Sequence, residues 1–161
     1  MYRIRSIQAQ DNAQMAHIIR QVSKEFGLAA EAGFAVADPI LDQLSVVYDQ
    51  PDAQYWVIES DSGEIFGGGG LAPLNGEPST LEIQKMYFLP EIRKLGFAQQ
   101  ILNLCFSFAK EQGFQALYLE TTQQLWQAVK LYEKLGFLHL DASRGHTGHS
   151  HACEIWMLKT L

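Results

Sequence analysis

The segment LEIQKMYFLPEIRKLGFAQQILNLCFSFAKEQ, residues 81–112, decides the fold. Its first nine residues, 81–89, are rich in Ile, Met, Tyr and Phe and stop at Pro90, which cannot donate to a ladder, so they read as a strand. Leu81, Ile83, Tyr87 and Leu89 fall on one alternation face; Met86 and Phe88 fall on the other, together with Glu82. Apolar groups on both faces indicate a central strand covered on both sides. Phe97, Ile101, Leu104, Cys105 and Phe108 then recur at three- and four-residue steps, a helix that ends at Gly113. Between strand and helix stands Arg93-Lys94-Leu95-Gly96-Phe97-Ala98. Small residues at 96 and 98 let a ligand approach the backbone, the unpaired N–H groups of the first helical turn point outward, and Arg93 and Lys94 add positive charge. The expected object is a phosphate or pyrophosphate site. A tight strand-to-helix turn with two solvated cations is the alternative, and a short glycine motif alone does not separate the two.

The rest of the chain sets the frame. Its 161 residues make one domain, 1–161, long enough for a substantial core, and its 47% apolar and 19% charged residues are those of an ordinary soluble globular protein. A net charge of −6 argues against nucleic acid, which needs a basic excess, and sits better with an amine-bearing partner. Arg3 and Arg5 interrupt any apolar leader, and no run approaches membrane-spanning length. Cys105 lies on an apolar helical face, so it reads as a reduced core thiol, and the expected compartment is cytoplasmic with no membrane partner.

In chain order, 2–7 alternates as a strand. Asp11 or Asn12 stands where a cap is expected before a helix carrying Met15, Ile18, Ile19, Val22 and Phe26, and Gly27 ends that helix. Residues 28–36 read as loop and 39–48 as a second helix capped by Asp38. Residues 54–59 and 65–73 form a hairpin around Asp61-Ser62-Gly63-Glu64. Gly67–Gly70 leads into no helical pattern, so it reads as a strand where side chains are absent for close backbone approach or a bulge, not as a nucleotide loop. Residues 75–79 read as a loop. The strand 116–120 follows the helix and lies parallel beside 81–89. A helix over 125–135 has Trp126, Val129, Tyr132 and Leu135 spaced for burial, and 137–140 and 153–159 close the sheet. The loop between them holds His146, His149 and His151. It reads as a polar flap; a metal site is the alternative, and its spacing offers no obvious fourth ligand.

Arg93-x-x-Gly96-x-Ala98, after a strand ending Lys85-Met86-Tyr87-Phe88, resembles the acetyl-CoA pyrophosphate loop of the GNAT N-acetyltransferases, whose pattern is Arg/Gln-x-x-Gly-x-Gly/Ala. Ala128-x-x-Leu131-Tyr132-Glu133-Lys134-x-Gly136-Phe137 resembles the family's later helix and the strand after it. Glu25-Phe26-Gly27, Glu82–Pro90 and Thr147-Gly148-His149 with Cys153-Glu154 are similar to the acetyltransferase domains fused to MarR-type regulators, although the regulator domain itself is absent.

The resemblance implies an α/β (α+β) GNAT fold: a mixed, mostly antiparallel sheet flanked by helices, with a splayed parallel strand pair holding the cofactor. It implies acetyl-CoA as co-substrate, no metal, and direct acetyl transfer to a primary amine, first of a small metabolite or amino acid. A protein lysine or N-terminus, or a non-catalytic acyl-CoA sensor, stands as the alternative, and a homodimer stays open. Cofactor contacts then map to Met86, Tyr87, Phe88, Arg93, Lys94, Leu95, Gly96, Phe97, Ala98 and Thr121. Tyr132 maps to the general acid that protonates the departing thiolate. Glu82 is the candidate base, with Glu120 its rival. Glu25, Phe26, Phe34, Glu120 and His149 fall on the acceptor side, as does Tyr48. One departure is Leu125, where the family often has an Asn that contacts the pantetheine; Thr121, Thr122 or Gln123 would replace it.

Overall fold

A computed structural model describes residues 1–28, 38–148 and 150–161. The elements are β1 (Tyr2–Ser6), α1 (Asn12–Glu25), α2 (Leu44–Val47), β2 (Gln54–Ser60), β3 (Ile65–Leu74), β4 (Glu77–Phe88), α3 (Phe97–Glu111), β5 (Ala116–Thr121), α4 (Trp126–Lys134), β6 (Leu138–His139) and β7 (Ile155–Thr160). The order of helices and strands is the one the sequence implies. Among the described residues the strands form one sheet in the order β1-β2-β3-β4-β5-β7-β6.

Every neighbouring pair is antiparallel except β4 and β5. These two are parallel, as a connection through α3 requires. They pair only at Thr80–Ala116, Leu81–Leu117 and Glu82–Tyr118. Beyond Glu82 the strands part, β4 running on to Phe88 and β5 to Thr121.

Opposite the four glycines of β3 the ladder slips. Gly70 pairs with Gln84 and Gly68 with Tyr87, so Gly69 faces both Lys85 and Met86. This is a β-bulge, with Lys85 at φ 52, a conformation non-glycine residues seldom adopt. The hydroxyl of Tyr55 fixes it by donating to the Lys85 carbonyl at 2.7 Å. A Cβ on Gly69 would overlap Met86 Sδ, so the missing side chain makes room for Met86.

The bulge overturns strict alternation. Leu81 and Ile83 before it, and Met86 and Phe88 after it, all pack on the α3–α4 side of the sheet, with Ile101, Cys105 and Tyr132. Glu82 does not share the face of Met86 and Phe88. It lies with Gln84 and Tyr87 toward α1, where Met15, Ile19, Leu44, Tyr48 and Tyr55 form a second apolar cluster. Burying side chains such as Met15 and Ile19 stabilises by about 1.5–3 kcal/mol each, enough to clamp α1 on the sheet.

Other expectations shift at element ends. Residues 77–79 belong to β4, because Asn75-Gly76 alone makes the turn, with Gly76 at φ 90. The helix expected over 39–48 breaks into a 3-10 turn, Leu41–Gln43, and the single turn of α2, since Gln43 leaves helical geometry (φ −132, ψ 33). Asp38 does receive the Ile40 N–H. Asp11 does not cap α1 through its side chain; that carboxylate is taken by Arg5 and the Gln8 N–H. On α3, Leu102 and Ala109 are buried where Leu104 was expected, Leu104 being 37% exposed. Trp126 is 53% exposed, not buried. Among the described residues no helix is long and apolar enough to cross a membrane.

Candidate functional site

The parting of β4 from β5 opens the sheet into two clefts. One, of about 660 Å³, lies between the start of α3 and the start of α4. Arg93, Lys94, Gly96, Phe97 and Ala98 line it on one side, and Gln124–Ala128 with Leu131 on the other. Gly96 is the N-cap of α3 at φ 87, and nothing lies within 4 Å of where its Cβ would be, so the approach to the helix start is open. The first-turn N–H groups of a 15-residue helix face this opening and favour an anion. Leu95 is 56% exposed and is not part of the lining.

Arg93 is used differently from the sequence expectation. Its guanidinium makes a bidentate pair with Glu25, at 2.6 and 2.9 Å, stacks on Phe26, and donates from Nε to the Phe88 carbonyl at 2.9 Å. Arg93 thereby ties the end of α1 to the end of β4, and it holds the Glu25 carboxyl below the usual carboxylate range. Glu25 and Phe26, expected on the acceptor side, line this first cleft and not the second. The net positive contribution of the loop comes from Lys94 and the helix N–H groups.

The second cleft, of about 600 Å³, is lined by Asp38, Glu82, Gln84, Lys85, Glu120, Thr121, Thr147 and Cys153 among others. Thr121 faces this cleft and not the first. Met86, Tyr87, Leu125 and Tyr132 line both clefts, so the two meet there. Phe88 lines the first alone. Phe34 and His149 lie outside the described residues.

At the meeting point Tyr132 packs edge-on against Phe137, with ring centroids 5.8 Å apart, and burial raises its phenol above the ordinary value. Among the described residues its hydroxyl has no hydrogen-bond partner, although the ring is buried. Glu82 is 3% exposed and accepts from Gln84 Nε2 at 2.6 Å, while Gln84 Oε1 accepts from the Tyr48 hydroxyl at 2.7 Å. Tyr48 is thus a support behind the cleft. Glu120 accepts from the hydroxyls of Tyr118, Thr147 and Ser150, which gathers β5 and the loop after β6 around one carboxylate. Thr122 Oγ1 and the Gln123 N–H both donate to Glu154, which sets the start of α4 beside Leu125.

Three cleft residues carry no signal for this role in the sequence. Lys85 projects into the second cleft with its side chain 7% exposed, and its Nζ lies 3.2 Å from Asp38 Oδ2. In the sequence Asp38 reads only as a cap. The signal for Lys85 is three-dimensional: a bulge that turns the residue, which no one-dimensional pattern carries. Cys153 also lines this cleft, and burial, then the charges of Glu120, Glu154 and Glu82, push its thiol up to about 12. Among the described residues no group of three or more His, Cys, Asp or Glu side chains is placed to hold a metal ion.

Residues 19–137 match the family model described as the acetyltransferase (GNAT) family. The chain is 51% identical over 159 residues to a protein of Escherichia coli (strain K12) named uncharacterized N-acetyltransferase YjgM, covering 98% of this chain and 94% of that one. Among solved structures, an acetyltransferase of the GNAT family from Staphylococcus aureus Mu50 superposes with a TM-score of 0.84 at 19% identity, over 100% of this chain and 99% of that one. The PaiA N-acetyltransferase of Thermoplasma acidophilum, solved in complex with coenzyme A, superposes with a TM-score of 0.76 at 19% identity, over 100% and 99%. At these identities the two structures speak to the fold alone.

Proposed function

The chain belongs to the GNAT acetyltransferase family, and from that premise we propose that it transfers the acetyl group of acetyl-CoA directly to the primary amine of a small molecule. The observation that carries the reading is the pair of clefts meeting at Met86, Tyr87 and Tyr132, one opening on a helix N-terminus and the other lined by carboxylates. The first cleft fits acetyl-CoA on its own chemistry: N–H groups and Lys94 for the diphosphate, a glycine with open space at the point of approach, and apolar walls beyond. When bound, acetyl-CoA supplies an acyl group activated as a thioester.

The chain's residues divide the remaining work. Glu82 takes a proton from the acceptor ammonium, directly or through water, because only the neutral amine is a nucleophile. Gln84 holds one Glu82 oxygen and leaves the carboxylate on the acceptor cleft wall. Glu120, on the facing strand, is the rival base. Tyr132 is a phenol whose ordinary value near 10 already keeps it protonated at neutral pH, and burial raises that value further, so it holds a proton to donate to a thiolate formed at the junction. Direct transfer is favoured over an acyl-cysteine route because the Cys153 thiol, up at about 12, is rarely a thiolate.

A thiol-release assay across small amines and peptides tests this. We expect CoA release that saturates with at least one class of small amine. Acetyl-CoA binding with no release above spontaneous hydrolysis for any acceptor would refute transfer and favour a sensor role.

A further inference from the structure

Resting on the reading above, we infer that the acceptor amine carries a carboxylate, as an α-amino acid does, and that Lys85 is the residue that takes it. Lys85 is the one Lys or Arg among the described residues lining the acceptor cleft. It sits there at a cost: its backbone is in the left-handed region at φ 52, and its side chain is 93% removed from solvent. An exposed Asn or Gly would suit that bulge better.

The ion pair with Asp38 leaves Lys85 with capacity to spare. Asp38 Oδ1 is engaged by the Ile40 N–H, and Oδ2 lies 3.2 Å from Nζ. An ammonium has three donors, and among the described residues Asp38 is its ion partner. Among the described residues, the other charged groups lining the cleft are the carboxylates of Glu82 and Glu120. One ammonium beside several carboxylates is complementary to a zwitterion, whose amine goes to the carboxylates and whose carboxylate goes to Lys85. A polycation would instead meet Lys85 as a like charge.

Lys85 stands next in the chain to the point where the two clefts meet. Lys85 is followed directly by Met86, which lines both clefts where the acetyl group must arrive, and consecutive Cα atoms are about 3.8 Å apart. Leu28, Pro39, Ile40 and Val47 line the same cleft, so an apolar side chain on that acceptor has a place to go.

The test compares kcat/KM for Leu, Met and Phe with that for the amine and the amide of matching side chain, in wild type, K85M and the K85M/D38N double variant. The double variant removes the orphaned Asp38 charge in case K85M alone folds poorly. Amine acidity differs among these compounds but cancels when one ratio is compared between enzymes. We expect wild type to prefer the carboxylate-bearing member. The ratio should fall about 10–10²-fold in both variants, as loss of a hydrogen bond to a charged group implies. K85R should keep part of it. A ratio unchanged by removing Lys85, or a wild-type preference for the amines, overturns the inference while leaving amine acetylation standing. Failure to acetylate any of the compounds or any other amine overturns the proposed function itself, and this inference with it.

Discussion

Replacing Gly96 separates the backbone cost of the pyrophosphate loop from its ligand chemistry. Gly96 holds φ 87, and nothing lies within 4 Å of its missing Cβ, so Gly96→Ala meets no clash and pays only for the left-handed backbone. That cost is about 1–2 kcal/mol. In a domain of this size each kcal/mol moves Tm by about 2–4 °C, so the ligand-free variant should melt about 2–8 °C below wild type. Acetyl-CoA at a hundred times its Kd should add about 2.7 kcal/mol by mass action, a rise of about 5–11 °C in wild type. Gly96→Glu pays the same backbone cost but places a carboxylate where the diphosphate would sit. We expect its ligand-free Tm to match that of Gly96→Ala within a few degrees, a carboxylate at a helix start returning about 0.3–1 kcal/mol, while its ligand-induced rise vanishes. Thermal melts with and without acetyl-CoA, for three proteins, read all of this. A Gly96→Glu variant that keeps the wild-type rise would refute the assignment of the cofactor to this cleft.

Tyr132→Phe should lower kcat by roughly 10²–10⁴-fold with little change in acetyl-CoA affinity, as for loss of a general acid. Because the hydroxyl has no partner among the described residues, Tm should barely move; a wild-type kcat would return Tyr132 to a packing role. Glu82→Gln should lose most rate at low pH and recover partly as the free amine becomes abundant, and a ratio to wild type that stays flat across pH would point to Glu120 or to a binding role. The Glu59 carboxyl is held down to about 2 by hydrogen bonds from Arg5 and then Arg3, against an ordinary 4.5. A carboxylate depressed in the folded state contributes stability that is present above pH 4.5 and is lost as pH falls toward about 2. The Tm of Glu59→Gln should therefore change less across that window than wild type does, and parallel curves would count against the linkage. Gly69→Ala and Gly68→Ala should differ in kind. The first displaces the flexible end of Met86, a wall of both clefts, so it should raise the KM for acetyl-CoA; the second puts Cβ 2.5 Å from the Trp56 carbonyl, so it should cost stability first.

The sequence carried the fold wherever period and punctuation coincide. Pro90, Gly96 and Gly113 bracket the central strand and its helix, and a helix between strands forces the parallel pairing of β4 with β5. It carried the loop of the first cleft for the same reason, since Gly96 and Ala98 are local requirements. What it missed depends on distant partners. Alternation could place Glu82 only by counting in twos, and the extra residue at Lys85 breaks the count because Tyr55, thirty residues away, holds the bulge. Arg93 reads as a free cation in the sequence because Glu25 lies 68 residues away. Trp126 had the spacing of a buried residue, yet the neighbour it would need is replaced by the open cleft.

The brevity of the β4–β5 pairing has a mechanical meaning. Only three residue pairs stitch a four-stranded half of the sheet, β1 to β4, to a three-stranded half, β5, β7 and β6. Within each half the ladders run longer, apart from the two-residue β6, so across the seam the halves are joined less by ladder hydrogen bonds than by the shared apolar core under α3 and α4. Both clefts straddle that seam and share their floor at its open end. A molecule lodged there touches both halves and acts as a staple across the seam. Such a ligand adds contacts between the two halves that the short ladder itself does not supply.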